Sequence, residues 1–254
     1  MSANEPTASL AVRRAASNKL EHEILTSINR LNVDQLSKII ITRNGCENDA
    51  KTIKSVVAFL FFSVINPEHS LARTPKEFAV FTDGLLQAIP ESLRDWSVRT
   101  IEGGPPNKGK SLFRYLLHNC AESYLLRANT TLIKPSEVTI SHLHAGDIDN
   151  ASTLCGLRDE GKCLLSEFIG ELGLLGLLSS RVVYEYCLRL MHSISIPRPS
   201  ASELEALCRL LCSIAPIARS DPSLLGVFKG LDKIRCNPEQ YEAWLQALVI
   251  VRSD

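Results

Sequence analysis

The sequence predicts an all-α protein, an α-solenoid of about five HEAT-like antiparallel helix pairs. Three observations carry this. Apolar residues recur at spacings of three and four along most of the chain, which keeps one face of a 3.6-residue helix apolar. Stop and start signals then cut these stripes into segments that pair at intervals of roughly 35 to 45 residues, the period of HEAT-like repeats. Hardly any stretch reads as a credible strand. An amphipathic hairpin cannot bury its own stripe, so such pairs must stack on one another.

Residues 1–19 are a tail rich in small and polar residues. Leu20, Ile24, Leu25, Ile28 and Leu31 make the first stripe, and Asn32-Val33-Asp34 is expected to turn the chain. A second helix through Leu36, Ile39 and Ile40 should end near Asn44-Gly45, because glycine at a helix end adopts the left-handed conformation at little cost. Asp49 is a candidate cap for the third, which carries Ile53, Val56, Val57, Leu60 and Val64 and stops at Asn66-Pro67. Pro75 opens the fourth at the position where its missing N–H does no harm, and Pro90 closes it. Residues 90–110 read as loop, 111–126 as helix, and 127–160 as a loop-rich insertion.

Leu164 to Met191 is the clearest hairpin. One stripe runs through Leu164, Leu165, Phe168, Ile169, Leu172 and Leu175, and another through Val182, Val183, Tyr186, Cys187, Leu190 and Met191. Ser179 or Ser180 should cap the second helix. Ser200 and Glu203 have capping-box spacing ahead of Leu204, Leu207, Cys208, Leu211 and Ile214. A last pair is expected over 224–235 and 239–252. The whole is one domain, 20–252.

Composition removes several function classes. Lys plus Arg and Asp plus Glu both number 28, so no global field attracts nucleic acid and any RNA contact needs a local basic patch. No apolar run is long enough for a membrane span. Eight scattered cysteines without a C-x-x-C, mostly on apolar faces, read as reduced thiols in the cytoplasm.

Several segments carry more than periodicity. FIGELGLLGLLSSRVVYEYCLRLM (168–191) resembles a pattern in the middle domain of eukaryotic translation initiation factor 4G and its relatives. SINRLNVDQLSKII (27–40), SLFRYLLHNC (111–120) and SELEALCRLLCSI (202–214) are similar to three further segments of that domain, in the same order. The resemblance implies a crescent of five HEAT-like pairs without catalysis or cofactor. It implies a scaffold that clamps the two lobes of a DEAD-box RNA helicase of the initiation factor 4A type. Relatives serve other translation and mRNA-decay factors, and several touch RNA. The family's last helix is commonly basic near its start. Here PEQYEAWLQALVIVR carries Glu239 and Glu242 and no Arg before Arg252, which argues against an RNA contact there. Gly173 and Gly176 stand where the family has larger residues.

Candidate partner-binding residues are Asn29 and Arg30 of the first segment, Glu171, and the arginines Arg114, Arg189 and Arg209, expected on the exposed sides of successive repeats. Phe168, Ile169, Gly170 and Leu172 are expected in the stacking core. Glu171 reads either as a carboxylate facing a basic partner or as an ion pair between neighbouring repeats. One motif points elsewhere. GPPNKGKS (104–111) fits the phosphate-cradling pattern G-x-x-x-x-G-K-[ST], with Gly104, Gly109, Lys110 and Ser111 as its ligands. Its preceding stretch, WSVRTIE, alternates apolar with charged residues, whereas a P-loop strand lies in a buried parallel sheet and should be almost wholly apolar. His142, His144, Cys155 and Cys163 match no common zinc spacing, so no metal site is expected.

Overall fold

A computed structural model describes residues 18–44, 50–66, 73–94, 108–128, 159–194, 201–218, 220–222, 224, 226 and 227. Its helices are α1 (18–29), α2 (Val33–Asn44), α3 (Lys51–Ile65), α4 (Pro75–Ala88), α5 (Gly109–Ala128), α6 (Asp159–Leu174), α7 (Ser180–Ile194) and α8 (Ala201–Ala218). The protein is an all-α helical-repeat solenoid in two layers. In one layer α2 packs on α4, α4 on α6 and α6 on α8; in the other α3 packs on α5 and α5 on α7. The core runs continuously between them, from Ile24 and Ile28 of α1 to Ile214 of α8.

Local chemistry explains most of the boundaries. The first turn is tighter than the expected Asn32-Val33-Asp34. Leu31 takes a positive φ of 51°, and Asn32 is already the cap of α2, its Oδ1 accepting from the Gln35 N–H at 2.9 Å. Asp49 lies outside the described residues, and the N-cap of α3 is Ala50, with φ 51° and no side-chain cap bond. Asn66 ends α3, its side chain donating to the Phe62 carbonyl at 2.9 Å. Pro75 opens α4 as expected. The sequence TPKE also encodes a full capping box there: Thr74 Oγ1 accepts from the Glu77 N–H, and the Glu77 carboxylate accepts from the Thr74 N–H. Those bonds hold the Glu77 carboxyl below its ordinary range. Thr74→Ala is expected to lower stability by about 1 kcal/mol in a urea titration, since it leaves an N-terminal N–H without its acceptor.

The hairpin at 164–191 differs from its sequence reading. Leu175 lies outside α6 and is 40% exposed, because the helix ends one residue earlier. Gly176 takes φ +66°, the Leu177 N–H donates to the Leu172 carbonyl at 2.9 Å, and the Gly176 N–H donates to that of Gly173 at 3.0 Å. This pair of bonds is a Schellman stop, which needs the left-handed residue that glycine supplies. The apparent helix-interior glycine is therefore a terminator. Ser179 does stand at the cap of α7, its carbonyl accepting from Val182 and Val183. The partners of α6 are the larger surprise. Its main contact is with α8, not with α7, so the tight turn links neighbouring pairs and the stacking lies across it.

Residues 129–158 (most of the expected insertion), Ser200 and residues 228–254 lie outside the described part of the chain. Within the expected last pair, Leu224 and Val227 are buried. The loop after α4 is tied at its base: the Gly109 N–H donates to the Leu93 carbonyl at 2.7 Å, and Arg94 and Lys108 form an isolated antiparallel bridge.

Candidate partner-binding surface

The FIGEL segment supplies the frame on which any surface rests. Phe168 is fully buried and meets Phe61 of α3 edge-on, with ring centroids 5.3 Å apart. Phe61 stacks on Tyr124 of α5 at 5.6 Å. One aromatic cluster thus joins three helices from both layers, a favourable arrangement of ring faces and edges. Ile169 and Leu172 are fully buried beside it. Gly170 faces α8. A Cβ added there would lie 2.6 Å from the Ser213 Cβ and 3.2 Å from the Leu210 carbonyl oxygen. Gly173 is close to Val183 of α7 in the same way, at 2.8 Å. Close helix packing therefore offsets the roughly 1 kcal/mol that a helix-interior glycine costs relative to alanine.

Polar bonds fix the register of α6 against α8. Ser202 Oγ donates to Asp159 Oδ1 at 2.7 Å, the Cys163 thiol donates to the Ser202 carbonyl at 3.7 Å, and Arg209 donates to Glu167 Oε2 at 3.2 Å. These pairs are 43, 39 and 42 residues apart, so the two helices run in the same direction, offset by one repeat. The Ser202 hydroxyl, with Lys162 adding to it, holds the Asp159 carboxyl below its ordinary range. In the other layer, His118 joins α5 to the start of α7. Its Nε2 accepts from the Ser179 N–H at 2.8 Å while its Nδ1 meets the Arg114 carbonyl at 2.8 Å. A carbonyl only accepts, so the proton is on Nδ1. Spacing alone gave no sign of this link, because its two ends are 61 residues apart.

The candidate residues are spread over both layers. Arg30 is exposed after α1, and Asn29 beside it has a buried Oδ1 without a hydrogen-bond partner among the described residues. Arg114 is exposed on α5, and Arg189 is half-buried on α7. Arg209 belongs to the opposite layer and is not a free surface charge. It pairs with Glu205 at 2.8 Å and Glu167 at 3.2 Å. The three arginines therefore do not form a single strip. The expected ion pair between repeats exists, but Glu167 makes it, one turn before Glu171. Glu171 is half-buried, with no ion pair or hydrogen bond to its carboxylate among the described residues.

The phosphate-cradle reading loses its context. Gly104 lies outside the described residues, and Gly109, Lys110 and Ser111 are the first turn of α5. Lys110 donates to Gln87 Oε1 at 2.7 Å. The Glu91 carboxylate lies within 2.7 Å of where a Cβ on Gly109 would be, placing negative charge where a phosphate would need donors. No parallel sheet precedes the turn among the described residues.

Of the cysteines, Cys46, Cys155 and Cys236 lie outside the described residues, as do His142 and His144. Burial raises the Cys163 thiol to about 11 and the Cys187 thiol to about 12, and pushes the Tyr186 hydroxyl upward as well. Thiols held protonated make poor metal ligands and poor nucleophiles. The linkage has a definite sign. An unfolded chain releases these protons near pH 9.0, whereas the folded chain keeps them, so stability is full below that pH and falls as pH rises toward the folded values. Cys187 alone is expected to remove about 2 kcal/mol by pH 10.5. Urea midpoints at pH 7.5 and 10.5 should therefore converge in Cys187→Ala relative to the parent chain.

No helix among the described residues is long and apolar enough to cross a membrane. No family model matches the sequence and no solved structure matches it. The chain is similar to eukaryotic translation initiation factor 4 gamma of Schizosaccharomyces pombe, 28% identical over 204 residues. The match takes in 77% of this chain and spans 14% of the length of that relative. An all-helical domain like one part of that much longer factor is therefore what fold and sequence similarity jointly support.

Proposed function

We propose that this chain is a non-enzymatic scaffold of translation initiation or mRNA metabolism, cytoplasmic, whose partner is a DEAD-box RNA helicase of the initiation factor 4A type. The observation that carries the reading is the 28% identity, over 204 residues, to a protein named as a translation initiation factor. The two-layer solenoid supports it. Such a stack presents extended faces on a rigid frame, the form that holding two lobes of a partner requires. Asn29, Arg30, Arg114, Glu171, Arg189 and Arg209 are the residues proposed to meet partners, with Arg209 acting together with Glu167. The mechanism is population shift: a scaffold that binds the closed arrangement of helicase lobes better than the open one raises the closed fraction by its differential affinity. Other translation or mRNA-decay factors are the further partners in this reading.

The test is calorimetric titration of the purified chain into an initiation factor 4A type helicase, paired with the helicase's RNA-dependent ATPase rate. Saturable binding and a raised rate are expected. No heat of binding and an unchanged rate would remove the proposal. Arg114→Glu should weaken binding without changing the thermal unfolding of the chain, since Arg114 is exposed.

A further inference from the structure

One ion pair closes the seam between α6 and α8, and the next turn of the same seam is left open. Arg209 meets Glu167 at 3.2 Å, 42 residues away in sequence. The two helices run in the same direction, so the same offset sets Glu171 level with Ser213. The close approach of Gly170 to Ser213 agrees with that register. Ser213 is half-buried and brings no charge. The cations that α6 and α8 carry are engaged elsewhere: Lys162 with Asp159 at 3.5 Å, and Arg209 with Glu205 and Glu167. Glu171 is thus a half-buried carboxylate without an ion pair or hydrogen bond among the described residues. A charge drawn partly out of water without a partner costs free energy. A second acceptor lies on the facing turn of α8. Pro216 stands inside that helix, and having no N–H it removes the helical donor of the Cys212 carbonyl. Burial, and then the Glu167 carboxylate, raise the Cys212 thiol above its ordinary value, which sets Cys212 beside the seam. Apolar side chains stand on the same turns: Leu175 is 40% exposed, Pro216 exposed and Ile217 half-buried.

We propose that Glu171, with the Cys212 carbonyl, receives an arginine side chain of the protein partner, an inference that rests on the scaffold reading above. The partner then closes at this turn the ion pair that Arg209 closes one turn earlier. A guanidinium is planar, carries five donors and is weakly hydrated, so it suits two acceptors among apolar side chains better than an ammonium does. Two acceptors without a free cation repel phosphate, so the occupant is a protein group and not a nucleic acid.

Titration of the isotope-labelled chain with N-acetyl-arginine amide tests the site, read on the backbone amide resonances of 171–175 and 212–217. Saturable shifts with a dissociation constant in the millimolar range are expected. N-acetyl-lysine amide should bind at least about three-fold more weakly, and the uncharged citrulline compound should give no shift. Glu171→Gln should lose the shifts and keep the parent's melting temperature, because the carboxylate has no partner inside the chain to lose. It should also weaken binding of the initiation factor 4A type helicase about ten-fold. Absent shifts, equal shifts from the citrulline compound, shifts retained in Glu171→Gln, or a clearly lowered melting temperature of that variant would each overturn the site. Helicase affinity unchanged by Glu171→Gln would overturn its assignment to the partner's arginine. A chain that takes N-acetyl-arginine amide at this site but binds no helicase would support the site and remove the helicase reading alone.

Discussion

Phe168→Ala is expected to lower unfolding free energy by about 3–5 kcal/mol, the range for emptying a large aromatic site in a core. The upper end is the better expectation here. The ring is fully buried and touches Phe61, which in turn stacks on Tyr124, so the hole opens at a junction of α3, α5 and α6. A cavity bounded by three helices cannot close by moving one side chain. Against a total of roughly 5–15 kcal/mol for a domain, the loss is large. Urea titration should show a lower midpoint with an unchanged slope if the transition remains two-state. Phe168→Leu, which keeps most of the volume, should recover the greater part.

Gly170→Ala is expected to destabilise by about 2 kcal/mol, although alanine is the better helix former by about 1 kcal/mol. The sign is the informative part. A new Cβ at 2.6 Å from the Ser213 Cβ meets an atom fixed to its own backbone, and the Leu210 carbonyl oxygen is 3.2 Å away. Neither neighbour is the free end of a flexible chain, so α6 and α8 have to separate along the most extensive contact among the described helices. Ser213→Gly removes the closest atom. In the double variant the two changes should couple, with the pair losing clearly less than the sum of the single losses. A stabilising Gly170→Ala would mean that the helices are less closely apposed than described.

Much of the fold was legible because helix boundaries are encoded locally. Pro75, Pro90, Asn66-Pro67 and the stripe through Phe168, Ile169 and Leu172 each act within one or two turns of chain. Pairing across the solenoid is not local. An apolar stripe says which residues leave water but not what they meet, so α6 reads as half of a hairpin with α7 although its main surface belongs to α8. The small residue that permits this, Gly170, is also the sign of it. Arg209 shows the same limit. Spacing puts it on a polar face, but its fate is decided by Glu167, 42 residues earlier in sequence. The capping box at Thr74 and Glu77 has a four-residue signature, TPKE, that a reading of Pro75 alone passes over. The His118 link to the start of α7 was not, since neither of its ends has a sequence signature.

The same division applies to function. The residues that stack are recognisable from their periodicity, whereas those proposed to meet a partner carry no such signature. The central claim is that this solenoid works by favouring one arrangement of a two-lobed helicase. Fluorescence transfer between dyes on the two lobes of an initiation factor 4A type helicase, with RNA and nucleotide held constant, tests this most directly. Addition of the chain is expected to raise the fraction of molecules in the closed, high-transfer state in a saturable way. Binding without any change in that distribution would contradict the account.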